Sequence, residues 1–300
     1  MSSINKVVLA GAKGNLGGAV LDQLLNAGFQ VTALTRQGSS HTFPSNVTVK
    51  TVDYTSLDSL ANALQGQDAV VATVASEALD VQPLLIQASI KAGVKRFIPS
   101  DFGADTLNEK SSKLPGYATK VGIHSVLRKA AAESSLTWTV VLNGPFLDWG
   151  IAVGFLANTK GREIEFPDGG DRKYSASTLG DVGKAVAGVL KNPEQTKNRG
   201  VYVQSAALTQ RQLEGYLQKV VGADGWKENV TSIAEGLKQG EEELKKEQPN
   251  FGLVFLPTLK AAIWGEGYGG LFQKLDNDLV GVKELSDAEL EDLVIKSAPK

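Results

Sequence analysis

The stretch KVVLAGAKGNLGGAVLDQLLNAGFQVTALTR, residues 6–36, limits the possible fold more than any other part of the sequence. It opens on a short apolar run, Lys6 to Ala10, bounded by Gly11, which is the pattern of a strand buried on both faces. Gly11, Gly14 and Gly17 follow at G-x-x-G-x-x-G spacing. Leu16, Val20, Leu21, Leu24 and Leu25 then recur at helical spacing, Gly28 closes the helix, and residues 29–35 form a second apolar strand. Strand, glycine turn, helix and strand in that order make a βαβ unit.

Each glycine has a use in such a unit. One lets the chain turn sharply off the strand, and one lets backbone N–H groups approach a pyrophosphate with no Cβ in the way. The third lets the helix lie close on the sheet. The helix N-terminus, at Asn15 and Leu16, adds unpaired N–H donors and a partial positive charge. A dinucleotide held by Gly11, Lys13, Gly14, Asn15, Leu16 and Gly17 is therefore expected. The end of the second strand selects which one. NAD sites commonly place Asp or Glu there for the ribose hydroxyls. This chain has Leu34-Thr35-Arg36-Gln37-Gly38-Ser39. Arg36 can stack on the adenine and pair with a 2′-phosphate, with Lys13 assisting, so NADP(H) is expected over NAD(H).

Composition excludes several alternatives. A formal net charge of −2 gives no footprint for a polyanionic partner, so direct nucleic-acid binding is not expected. The absence of cysteine rules out disulfides, thiol nucleophiles and thiolate metal sites, and the two histidines, His41 and His124, are too few for an ordinary zinc site. No metal is expected. The segment MSSINK runs straight into the first strand with no signal-peptide pattern, and no apolar run approaches the roughly 18 residues of a membrane helix. A cytoplasmic protein is the expectation, with the sequons at Asn46 and Asn229 as chance matches.

Strand and helix patterns alternate through the first hundred residues. Strands are expected at 47–52, 68–74 and 96–99, and helices at 56–64 and 84–91. This argues for a doubly wound parallel sheet, in which ligands bind outside the carboxyl ends of the strands. Asp53 and Tyr54, after the third strand, would then border the adenine, and Thr73 and Val74, ending the fourth, would face the cofactor. After the fifth strand come Pro99-Ser100-Asp101-Phe102-Gly103-Ala104-Asp105, a loop, a helix over 117–134 and a sixth strand over 138–142.

Beyond Gly150 the alternation lapses. Residues 160–171 read as hairpin-like, 178–190 as a helix with Asp181 as its cap, 200–204 as a strand, and 209–221 and 286–295 as capped helices. The charge run at 238–247 reads as a solvated helical face, and the apolar, aromatic 251–272 as core packing or a lid. The division expected is a cofactor domain over 1–150, rejoined by roughly 174–205, and a smaller α+β substrate-binding region over 151–300.

Hydride transfer needs a proton donor beside the nicotinamide. Typical short-chain dehydrogenases use Tyr-x-x-x-Lys, whereas this chain has Tyr117-Ala-Thr-Lys120, one residue shorter, and it lacks a G-x-S-x-G elbow. Lys120, at the start of the helix entering from the fifth-strand loop, is the best candidate for the proton.

The ordered set GAKGNLG, ALTRQ, PSDFGAD, Lys120 and NGPFLDWG, with the C-terminal YGGLFQKLDNDLVG, resembles the NmrA-like and isoflavone reductase-like family, an atypical branch of short-chain dehydrogenases, and most closely its fungal members. The resemblance implies NADPH-dependent reduction of aromatic, phenolic or conjugated small molecules, with one lysine, here Lys120, as general acid/base. It implies Arg36 at the 2′-phosphate and Asn143, Pro145 and Phe146 near the nicotinamide, with Phe146 packed on the ring. At the spacing of the plant members the lysine position falls on His124. Some members are instead redox sensors that bind dinucleotides without turnover and regulate transcription through protein partners. This second reading competes with the enzyme.

Overall fold

The computed structural model describes residues 3–299; the outermost ends of the two expected regions, Met1–Ser2 and Lys300, lie outside the described residues. The first strand, β1 (Lys6–Ala10), is buried from Val7 onward, and its side chains alternate between two cores. Val7 and Leu9 enter one hydrophobic cluster, while Val8 and Ala10 enter another on the opposite face. A central strand must be apolar at every position because helices cover both faces.

The chain continues through α1 (Asn15–Asn26), β2 (Gln30–Arg36), β3 (Thr48–Val52), α2 (Leu57–Leu64), β4 (Ala69–Ala72), α3 (Gln82–Lys91), β5 (Arg96–Ile98), α4 (Ala118–Glu133) and β6 (Thr137–Leu142). Then come α5 (Leu147–Ala152), β7 (Glu163–Pro167), β8 (Tyr174–Ala176), α6 (Leu179–Lys191), β9 (Arg199–Tyr202) and β10 (Ala206–Leu208). The last elements are α7 (Gln210–Val221), β11 (Lys227–Thr231), α8 (Ile233–Leu244), α9 (Phe251–Trp264), α10 (Asn277–Val280) and α11 (Asp287–Ser297).

Seven strands form one sheet in the order β3-β2-β1-β4-β5-β6-β9, and every neighbouring pair is parallel. This is the Rossmann-like, doubly wound α/β architecture. The order reverses between β1 and β4, so the crevice above their carboxyl ends is the topological switch point. Helices α1 and α6 cover one face through Val20, Leu24, Val182 and Val186; α2, α3 and α4 cover the other through Leu60, Leu64, Ile86 and Leu127.

A third core, with Tyr117, Ile151, Tyr174, Leu208, Leu213 and Trp264, unites the C-terminal half with the loop before α4. The hairpin expected over 160–171 is not formed. Only a tight turn closes there, with Asn158 bridged to Glu163, and β7 then pairs in parallel with β11, more than sixty residues along the chain. Nothing local in KENVT announces that strand, since four of its five residues are exposed and no apolar alternation marks it. The cap of α6 is Thr178, whose side chain accepts from the Asp181 N–H. Asp181 itself pairs with Lys184 and accepts from Ser205. Helix α9 divides the apolar stretch: Ala261, Ile263 and Trp264 are buried, while Phe251, Leu253 and Leu256 face outward.

Candidate active site

At Gly11 the backbone leaves β1 with φ +87°, and a Cβ there would stand 2.4 Å from the Thr73 carbonyl oxygen. A Cβ on Gly17 would stand 2.0 Å from the Gly11 carbonyl oxygen, so the first turn of α1 lies directly on the loop. At Gly14 the nearest atom to such a Cβ would be 3.5 Å away, which leaves this glycine as the open one. It is also the N-cap of α1, and no side chain caps that helix or places an acid in its first turn. Close packing at Gly11 and Gly17 thus brings an uncapped helix start to the crevice, where its N–H groups can receive an anion.

A cavity of about 620 Å³ lies there, and it gathers Gly11, Lys13, Gly14, Arg36, Thr73 and Val74 from the expected set. Thr73 is anchored by donating its hydroxyl to the Ala10 carbonyl at 2.9 Å, and the Val74 carbonyl accepts from Ser100 at 2.7 Å. Tyr54 also lines the cavity. Burial pushes its phenol up to about 12, partly offset by the Arg36 charge, so it is a neutral hydrogen-bonding group at physiological pH. Lys13 Nζ sits 4.6 Å from the centre of the Phe43 ring, across the cavity rim. The lining also includes His41, Phe43 and Glu77, which lie in a polar loop and a short 3₁₀ turn (Ser76–Val81) whose patterns carry no ligand signal.

The remaining expected residues stand apart from this lining. Asn15, Leu16 and Gly17 form the start of α1 behind it. Asp53 turns its carboxylate to its own chain, accepting from the N–H and hydroxyl of Thr55 at 2.8 and 2.7 Å, and these bonds hold it below the usual carboxylate range. It closes a turn after β3, and Tyr54 is the residue of this pair that reaches the cavity. Asn143, Pro145 and Phe146 follow β6. Asn143 is fully buried with its Oδ1 unpartnered among the described residues, and the Pro145 carbonyl accepts from the Ser177 N–H. Phe146 is half-buried, edge-on to Trp149 with ring centres 6.3 Å apart.

Lys120 lies in the first turn of α4. Its Nζ donates to the backbone carbonyl of Asp101, just beyond β5, and stands 3.6 Å from Asp101 Oδ1. The Tyr117 ring lies beneath it at 5.6 Å. Burial, with the Asp101 charge adding to it, raises the Tyr117 phenol far above its ordinary value, so Tyr117 contributes a ring and not a phenolate. Asp101 is also hydrogen-bonded to His124 Nε2. Sequence reasoning passed over this pair, although Lys120 and His124, four apart on one helix, necessarily share a face. Since β5 lies beside both β4 and β6, the ammonium belongs to the same edge of the sheet as Thr73 and Asn143. An ammonium there can give a proton or a hydrogen bond to an oxygen. Among the described residues no cluster of three or more His, Asp or Glu suited to a metal occurs.

A parallel sheet reversing beside a glycine turn, with an anion-receptive helix start at the reversal, defines the nucleotide-binding class of Rossmann-like proteins. The chain belongs to the NmrA-like family, whose model matches residues 3–247. It is 36% identical over 271 residues to the oxidoreductase aprR of Aspergillus flavus, with 88% of this chain and 89% of that protein covered. To the oxidoreductase poxI of Penicillium oxalicum it is 32% identical over 299 residues, covering 95% and 92%. Among solved structures, the binary complex of leucoanthocyanidin reductase with NADPH from Vitis vinifera aligns with a TM-score of 0.77 at 19% identity, over 98% of this chain and 99% of that one. That last likeness is one of fold.

Proposed function

We propose that this protein is an NADPH-dependent reductase of small aromatic or conjugated molecules, with Lys120 as the group that handles the proton. The observation that carries the reading is the cavity at the strand reversal, where an uncapped helix start meets Arg36 and Lys13 and no acid ends β2. The cradle fits a dinucleotide: Gly11 and Gly14 leave the loop backbone bare, and the two cations suit a 2′-phosphate. NADPH, when bound, supplies hydride. The chain's own part is to hold the phosphates on the glycine loop, flank the nicotinamide end with residues 143–146, and offer the Lys120 proton to the oxygen that gains charge as hydride reaches carbon. The names of the fungal relatives support an oxidoreductase, and the NADPH of the grapevine complex supports the cofactor. In this reading residues 1–150 take the cofactor, and the aromatic third core frames the substrate on the C-terminal half.

The test is equilibrium binding of NADPH, NADP⁺, NADH and NAD⁺ measured side by side by calorimetry. The expected result is NADPH binding about 30-fold tighter than NADH, as for roughly 2 kcal/mol of charge-assisted hydrogen bonds to the 2′-phosphate. A preference for oxidised over reduced forms regardless of the 2′-phosphate would favour the redox sensor, and no binding would overturn both.

A further inference from the structure

Lys120 is one corner of a three-residue arrangement. Its Nζ is tied to the Asp101 carbonyl and faces carboxylate Oδ1 at 3.6 Å, while Oδ2 is hydrogen-bonded to His124 Nε2. The Thr106 hydroxyl lies 3.0 Å from both carboxylate oxygens, so the anion is held on three sides. The Asp101 and His124 side chains are 2% and 1% exposed, whereas Lys120 keeps 13%. Only the lysine has an outlet from the cluster.

Burying an ionised carboxylate is costly, and an apolar group of the same volume commonly serves stability as well or better. Burial alone would push Asp101 up. The Lys120 charge and the His124 hydrogen bond outweigh that and hold its carboxyl below the usual range. A buried, fully partnered anion whose one exit is an ammonium has the form of a support shell behind a reacting group.

We propose that Asp101 and His124 are positioning residues for Lys120: Asp101 fixes the lysine at the end of β5, and His124 fixes the carboxylate. The role rests on the reading of Lys120 as the proton-transfer group. Neither partner reaches a substrate, because both side chains are sealed between α4 and the end of β5.

The test is trace acetylation of the intact chain with acetic anhydride, read lysine by lysine by peptide mass spectrometry, with no dinucleotide or substrate present. The reagent attacks only the free amine. Lys120, held against the Asp101 carbonyl and carboxylate, is expected to react at least about tenfold more slowly than the exposed Lys129 of the same helix, a factor equivalent to about 1.4 kcal/mol. Asp101→Asn and His124→Leu should remove most of that protection while the Lys129 rate stays unchanged. His124→Gln, whose amide can still donate to the carboxylate, should restore it. A variant that fails to fold reveals itself by faster labelling at the half-buried Lys50, Lys95 and Lys260 as well. Equal rates in the wild type, or unchanged Lys120 protection in folded His124→Leu, would overturn the proposal. Loss of NADPH binding would instead overturn the reductase reading and leave this arrangement standing.

Discussion

In the proposed function, Arg36 is the residue on which cofactor choice turns. It is exposed at the end of β2, lines the cavity, and lies close enough to Tyr54 to influence its phenol. Arg36→Ala is expected to weaken NADPH binding about 30-fold, the loss of roughly 2 kcal/mol of phosphate pairing, and to leave NADH affinity within a factor of about two. Isothermal calorimetry on the pair of ligands checks this; equal weakening of both would mean that Arg36 serves the adenine or the fold instead. The role proposed for Arg36 could be read from the sequence because it follows from a position relative to its own strand. The position of Lys120 could be read for a similar reason, as the cation entering from the loop after β5. The pairing of Asp101 with His124 could not, since they lie 23 residues apart and meet only when α4 docks on the sheet.

At the level of elements, the contact between α1 and the glycine loop is the most demanding. Gly17→Ala would drive a methyl group to 2.0 Å from the Gly11 carbonyl oxygen, and backbone lies on both sides of the clash. The helix must lift, at a cost of about 3 kcal/mol, typical of overpacking where nothing flexible can yield. Thermal unfolding should show a fall of several degrees, with weaker NADPH binding because the helix start moves. Gly18→Ala, where a Cβ would meet nothing within 4 Å, is the matched control: it should leave NADPH binding unchanged and, as an Ala inside a helix, raise stability by up to about 1 kcal/mol. The elements of the first 142 residues were readable from apolar runs and stops, because each run is long enough to declare its period. The second half reads less well: β11 is polar and exposed, and the capping of α6 by Thr178 rather than Asp181 is a difference of three residues that only backbone geometry settles.

Across the protein, one buried cation ties the sheet to its far edge. Arg96 is fully buried at the start of β5 and donates to Thr137 and Thr139 of β6, and to Thr196 and the Pro193 carbonyl ahead of β9. Burial pushes its guanidinium down to about 10, so it remains charged at neutral pH. Those threonine hydroxyls donate onward to backbone carbonyls, which leaves their oxygens to accept from the arginine. Arg96→Met is expected to cost about 3 kcal/mol by leaving these acceptors unmet, and Arg96→Lys should not restore it, because one ammonium cannot span the fork. Urea unfolding measures both; an unchanged midpoint would show the network to be dispensable.

What the linear pattern already contained were the local matters: strand and helix periods, the glycine spacing that shapes a phosphate loop, and a cation instead of an acid after β2. These depend on neighbours within a turn or a strand, so the chain states them directly. Strand order, the β7–β11 pairing, the Arg96 network reaching 100 residues along the chain and the burial of Asp101 between Lys120 and His124 came only with folding. They are contacts between distant segments, formed where separate helices and strands share one core, and no local period encodes which segments those will be.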